Sequence, residues 1–138
     1  MDAFSTRPAG TPGGTCRALK PPRHGQKWER QAEVHLHRHG LRILQRNFHC
    51  RRGEVDLVME DGCSIVFVEV RYRGSGSHAS GLESVTRQKQ LRLSCAAGMF
   101  LVKHPGLSQR PCRFDVVSID GCSQQLSWVK NAFESVIG

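Results

Sequence analysis

Residues 51–73 read RRGEVDLVMEDGCSIVFVEVRYR. Two runs of alternating apolar residues, 53–60 and 63–73, flank Asp61-Gly62, the dipeptide that best tolerates the positive φ angles of a two-residue hairpin turn. With that turn Glu60 stands opposite Cys63, Asp56 opposite Phe67 and Glu54 opposite Glu69. Strand alternation sends Val55, Leu57, Val66, Val68 and Val70 to one face. Glu54, Asp56, Glu69 and Arg71 share the other face with Val58, Ile65 and Phe67. Three carboxylates beside an apolar patch repel one another and need a compensating charge, which a divalent cation or neighbouring arginines supply.

A hard cation such as Mg²⁺ or Mn²⁺ takes oxygen ligands, one or two of them protein carboxylates, and leaves positions for water and phosphate oxygens. Asp56 diagonal to Glu69 suits that demand. Arg71, two residues beyond Glu69 on the same face, is placed to neutralise charge building on a phosphate. A solvated hairpin face with cross-strand ion pairs explains the same pattern, so the spacing alone leaves both readings open.

Outward from the hairpin, GQKWERQAEVHLHRHG (25–40) carries Trp28, Ala32 and Leu36 at helical spacing and ends at Gly40, a natural stop. LRILQRNF (41–48) is a strand whose alternation is clean at Leu41 and Ile43 and blurred at Leu44. The small polar run SGSHASG (75–81) is a loop. SVTRQKQLRLSCAAGMFLVK (84–103) is a second helix, capped by Thr86 or Ser84, with Val85, Leu91, Cys95, Met99 and Val102 as its expected stripe. CRFDVVSID (112–120) and QQLSWV (124–129) are further strands, joined by a turn at Asp120-Gly121.

The chain of 138 residues is one domain's worth. Residues 1–24, rich in Pro, Gly, Ser and Thr, read as a flexible basic arm before a domain at 25–138. Twenty Lys and Arg against 12 Asp and Glu give a net charge of +8, which favours a polyanionic partner such as nucleic acid, with an anionic membrane surface the weaker alternative. No apolar run approaches the roughly 20 residues of a membrane helix. The six cysteines form no CxxC pair, so free thiols in a reducing cytoplasm are expected. His35, His37 and His39 lack an acidic or Cys partner at ligand spacing and read as surface histidines. Asp115 reads as the ion-pair partner of Arg113, and Trp128 and Phe133 as covers over the end of the core.

WERQA with Glu29, LRILQRNF, RRGEVDLVM, VFVEVRYR, SVTRQKQLRL, RFDVV and WVKNAF occur in the order and at the gaps of the YraN family, bacterial proteins with a restriction-endonuclease-like fold, and the chain resembles that family from Gly25 to Phe133. The resemblance implies an α/β domain, a mixed sheet flanked by helices, and a metal-dependent nuclease site of the PD-(D/E)xK type acting on DNA. Asp56 then matches the metal-binding aspartate and Glu69 the glutamate of the ExK element. Glu29 is similar to the additional helical acid of archaeal Holliday-junction resolvases, a third ligand to metal or water. Glu54 belongs to the family's Gly-Glu-x-Asp signature, and it stands with Gln90 in a supporting place.

Arg71 departs from that pattern by standing where the element has lysine, because arginine stays charged and cannot act as a base. Lys89 from the basic helix is one replacement, as a migrated lysine. Arg52, Arg73, Arg87, Lys89 and Arg92 form the expected phosphate-tracking rim; a solvated basic face is the plain alternative. Two other functional classes stay in view: a nucleic-acid-binding or scaffolding protein with a degenerate site, and a subunit that forms a homodimer through the hairpin's apolar patch.

Overall fold

The computed structural model describes residues 24–74 and 85–135. Residues 1–23 of the basic arm, Cys16 among them, the 75–81 loop and the alternative cap Ser84 lie outside the described residues, and His24, placed at the end of the arm, opens the first helix. Helix α1 (His24–Arg38) precedes strands β1 (Arg42–Cys50), β2 (Gly53–Asp61) and β3 (Ser64–Arg73). Helix α2 (Arg87–Lys103) and a 3₁₀ turn (Pro105–Leu107) lead to β4 (Cys112–Asp120) and β5 (Leu126–Phe133). The five strands form one sheet in sequence order. Only β3 and β4 pair in parallel, and α2 makes the crossover such a pair requires. The result is the mixed, helix-flanked sheet of a restriction-endonuclease-like α/β domain.

Each helix covers one face. Trp28, Ala32 and Leu36 of α1 are buried against Leu57, Met59, Val66, Val68, Val117 and Ile119. On the opposite face Leu93, Ala96 and Phe100 of α2 meet Phe48, Val58, Ile65, Phe67 and Phe114. The sheet is therefore dry on both sides across its centre, and the near-continuous apolar runs of β3 and β4 follow from that. Glu33 of α1 and Arg46 of β1 are joined by two hydrogen bonds of 2.8 and 2.7 Å, which tie the helix to the sheet edge. Thr86 caps α2, its side chain accepting from the Lys89 amide at 3.1 Å.

Four expectations are corrected. The β2–β3 turn uses Gly62-Cys63 rather than Asp61-Gly62, so Asp61 pairs with Ser64 and Val58 with Phe67. Gly62 has φ 61°, whereas Asp61 keeps a strand conformation. A slip of two residues preserves the faces but puts Asp56 one rung beyond the Leu57–Val68 pair, directly across from Glu69 and not diagonal to it.

The second correction concerns Val55, which packs with Phe48 on the α2 side while Leu57 packs on the α1 side. Alternation breaks because Asn47, which falls opposite Asp56 between the Arg46–Leu57 and Phe48–Val55 pairs, adopts φ 51°. A bulge between Ile43 and Gln45 accounts in the same way for Leu44, which joins the α2 side.

The third is the face of α2. Leu93, Ala96, Ala97 and Phe100 are its buried apolar residues, at i, i+3, i+4 and i+7, whereas Leu91, Met99 and Val102 are exposed. Finally, β4 and β5 are joined by residues 121–125 and not by a tight two-residue turn: Asp120 Oδ1 accepts from the Cys122 and Ser123 amides, and Gln124 takes φ 64°.

Trp128 and Phe133 pack against the two core faces as covers. Asp115 is fully buried, and Arg113 donates to it through Nε and Nη2 at 2.9 and 3.2 Å. Trp128 Nε1 and the Asn131 amide complete its shell. All five described cysteines are free thiols. Among the described residues no helix is long and apolar enough to cross a membrane.

Candidate active site

The break at Asn47 is what builds the site. It interrupts the β1–β2 ladder at Asp56, between the Arg46–Leu57 and Phe48–Val55 pairs, next to where the β2–β3 ladder stops, and the Asp56 carboxylate turns across to accept from the Val70 amide at 2.8 Å. Glu69, on the strand beside it, is 5% exposed. Glu29 comes down from the first half of α1. Glu29 and Glu69 each hydrogen-bond the Asp56 side chain, so the three acids form a chain with Asp56 at its centre. Asn47 holds the outer end through a side-chain hydrogen bond to Glu29. A cleft of about 100 Å³ between α1 and β1 opens onto Glu29 and Asn47.

This arrangement is electrostatically costly, and the proton affinities record it. Burial first, and then repulsion from Asp56, raise the Glu69 carboxyl to about 8, against the pull of Lys89 and Arg71. The same two causes raise Glu29 to about 7. Burial also raises Asp56, opposed by the Val70 amide and by Lys89. The cluster therefore holds protons near neutral pH.

Two cations answer it. Lys89 Nζ lies 3.5 Å and Arg71 Nη1 3.6 Å from Glu69 Oε2. Of the expected site residues, Glu29, Asp56, Glu69 and Arg71 thus come together, and Lys89 joins them from the far helix. Glu54 does not. Its carboxylate is exposed and pairs with His49 Nδ1 at 3.1 Å, because the break at Asn47 turns it away from Asp56. Gln90 donates its side-chain amide to the Val85 carbonyl at 3.2 Å and so supports the start of α2 without touching the acids.

The rim divides as well. Arg52, Arg87 and Arg92 are exposed. Arg92 lies next to the site because α2 and the β1–β2 turn touch there: a side chain on Gly53 would collide with the Arg92 carbonyl. Arg73 instead approaches Asp120 at 3.8 Å. The histidines serve structure: His37 and His39 bond backbone carbonyls of Leu41 and His35, and His35 and His39 pack edge-on to Trp128. Asn47 is the site residue that pattern reasoning missed. The available signal was an asparagine inside a strand, the non-glycine residue most at ease at positive φ.

The donor set fits a hard divalent cation. Among the described residues no three His, Cys, Asp or Glu side chains converge as a ready-made cage. Mg²⁺ and Mn²⁺ do not need one, since one or two carboxylates suffice when water and substrate phosphate fill the remaining positions. Asp56 and Glu69 would hold the ion, while Glu29 stays beside Asp56 as a neighbouring acid.

A family model described as "Uncharacterised protein family UPF0102" matches residues 28–119. The chain belongs to the UPF0102 family. A UPF0102 protein of Stutzerimonas stutzeri (strain A1501) is 50% identical over 113 residues, covering 80% of this chain and 94% of its own. One from Pseudomonas fluorescens (strain Pf0-1) is 49% identical over 111 residues, covering 80% and 92%. One from Nitrosococcus oceani is 43% identical over 120 residues, covering 83% and 97%. The UPF0102 family is the YraN group that the motifs resemble, and the matched span runs from Trp28 at the foot of α1 to Ile119 in β4, enclosing every acid of the cluster.

Proposed function

We propose that this UPF0102 protein is a metal-dependent nuclease that hydrolyses phosphodiester bonds in DNA. The observation that carries the reading is the convergence of Glu29, Asp56 and Glu69 with Lys89 Nζ 3.5 Å from Glu69, four residues from four separate elements. Structural ion pairs alone seldom gather three acids, one buried and two partly buried, whose proton affinities are all raised. A bound Mg²⁺ or Mn²⁺ would supply a positive centre that polarises the phosphate and acidifies water.

The residues divide the remaining work. Asp56 is held by the Val70 amide and Glu69 by Lys89 and Arg71, so both offer their oxygens in fixed positions. Glu29, which titrates near 7, takes a proton at its carboxylate oxygen as water attacks phosphorus. Lys89 Nζ neutralises the charge gathering on the phosphate, the task of the missing lysine on β3. Arg71 contributes permanent charge only. The phosphorus–oxygen bond to the leaving strand breaks, and that oxygen is protonated from solvent.

The net charge of +8 supports nucleic acid as the partner. The competing reading is a protein that binds nucleic acid without cutting it. Asp56→Asn separates the two: a nuclease loses Mg²⁺-dependent cleavage and keeps its DNA affinity, whereas a binding protein has no cleavage to lose.

A further inference from the structure

A second pocket, of about 200 Å³, opens between the β1–β2 turn and the first turns of α2, beside the carboxylates. Arg51, Lys89 and Arg92 line it, with His49 and Glu54 at one side. Two arginines and a lysine face one carboxylate, and that carboxylate is already engaged by His49. Among the described residues neither Arg51 nor Arg92 forms an ion pair or a side-chain hydrogen bond. At the other end of the sheet the arginines are committed: Arg42 and Arg110 to Glu60, and Arg113 to Asp61 and Asp115. Two arginines left without anions beside a lysine, in a pocket where the Gly53 backbone packs against the Arg92 carbonyl, make an anion receptor.

We propose that this pocket is a phosphate subsite that takes a phosphate of the bound strand adjacent to the one at the carboxylates. Lys89 lines it and also reaches Glu69, so a single side chain ties the two places together. The inference deepens the nuclease reading and rests on it for the identity of the strand, but the anion site itself can be measured without cleavage.

The test follows the arginine Nε–Hε resonances of the full chain during titration with inorganic phosphate. Saturable shifts at Arg51 and Arg92, with Arg110 and Arg113 unmoved, are expected. Equal, unsaturable drift at every exposed arginine overturns the proposal. The Arg51→Ala/Arg92→Ala variant, which changes two exposed side chains, should bind inorganic phosphate at least tenfold more weakly and lower the salt slope of DNA binding by about 2, roughly one per lost contact.

An unchanged slope, with wild-type cleavage intact, removes the subsite and leaves the nuclease reading standing. Phosphate binding in a protein that never cleaves does the reverse. A short oligonucleotide with a 5′-phosphate that outcompetes its unphosphorylated twin tenfold identifies a terminal phosphate as the occupant. Equal binding of the two, weakened in the variant, identifies an internal one.

Discussion

Lys89 of α2 and Glu69 of β3 meet with Nζ 3.5 Å from Oε2, across the crossover that also makes β3 and β4 parallel. The contact brings a second cation to a site whose own strand offers only Arg71. Lys89→Ala should therefore slow single-turnover cleavage by about 10²-fold or more, the usual worth of one charge-stabilising or proton-transfer group. Lys89→Arg should recover part of that loss if neutralising charge is the lysine's main task. Rates at saturating Mg²⁺ decide the comparison.

The raised carboxyls fix the sign of a pH effect on stability. Glu69 binds its proton up to about pH 8 in the folded chain and only to about 4.5 when unfolded, and Glu29 up to about 7. Between those limits the native state holds more protons than the unfolded one, so stability falls as pH rises from about 5 to 8 and levels off above. The melting temperature of the protein in chelator should be higher at pH 5 than at pH 8. Mn²⁺, which competes with those protons, should raise it more at pH 8 than at pH 5. Glu69→Gln should flatten the first dependence.

Asn47 performs two tasks that separate by substitution. Asn47→Ala removes the short polar side chain that makes the left-handed region tolerable and should cost about 1 kcal/mol in urea unfolding. Asn47→Gly relieves the backbone and should leave stability near wild type. Both variants lose the hydrogen bond to Glu29, so both should cleave more slowly, and a loss confined to the alanine variant would assign Asn47 to the backbone alone.

Asp115 tests the structural side of the account. Its buried carboxylate serves Arg113, Trp128 and the Asn131 amide, the last at a residue with φ 53°. Asp115→Ala strands those donors and should cost about 3 kcal/mol, the lower end for a broken buried pair because Asp61 still holds Arg113. Denaturant midpoints measure it.

Much of this was legible in the chain because strand alternation survives a slip of two. Assigning the turn to Asp61-Gly62 shifted every β2–β3 pair, yet Asp56 and Glu69 stayed on one face and moved closer together. Asn47 was hidden because a break in one strand leaves no mark in apolar periodicity when its neighbours Arg46 and Phe48 look regular. The same break turned Glu54 toward His49, which alternation had aligned with Asp56. In α2 two apolar stripes compete, Leu93-Ala96-Ala97-Phe100 and Leu91-Cys95-Met99-Val102, and pattern cannot choose between them. The sheet chose the one with small alanines, which lets the helix come close enough for Gly53 to touch Arg92 and for Lys89 to reach Glu69.

The central claim is that these acids hydrolyse phosphodiester bonds, and one measurement addresses it directly: incubation of the purified protein with branched, nicked and linear DNAs in Mg²⁺ or Mn²⁺, beside the Asp56→Ala/Glu69→Ala variant. The account predicts scission of at least one substrate, dependent on the metal and absent in the variant. Intact DNA across the whole panel, from a folded protein that binds it with salt-sensitive affinity, would contradict it.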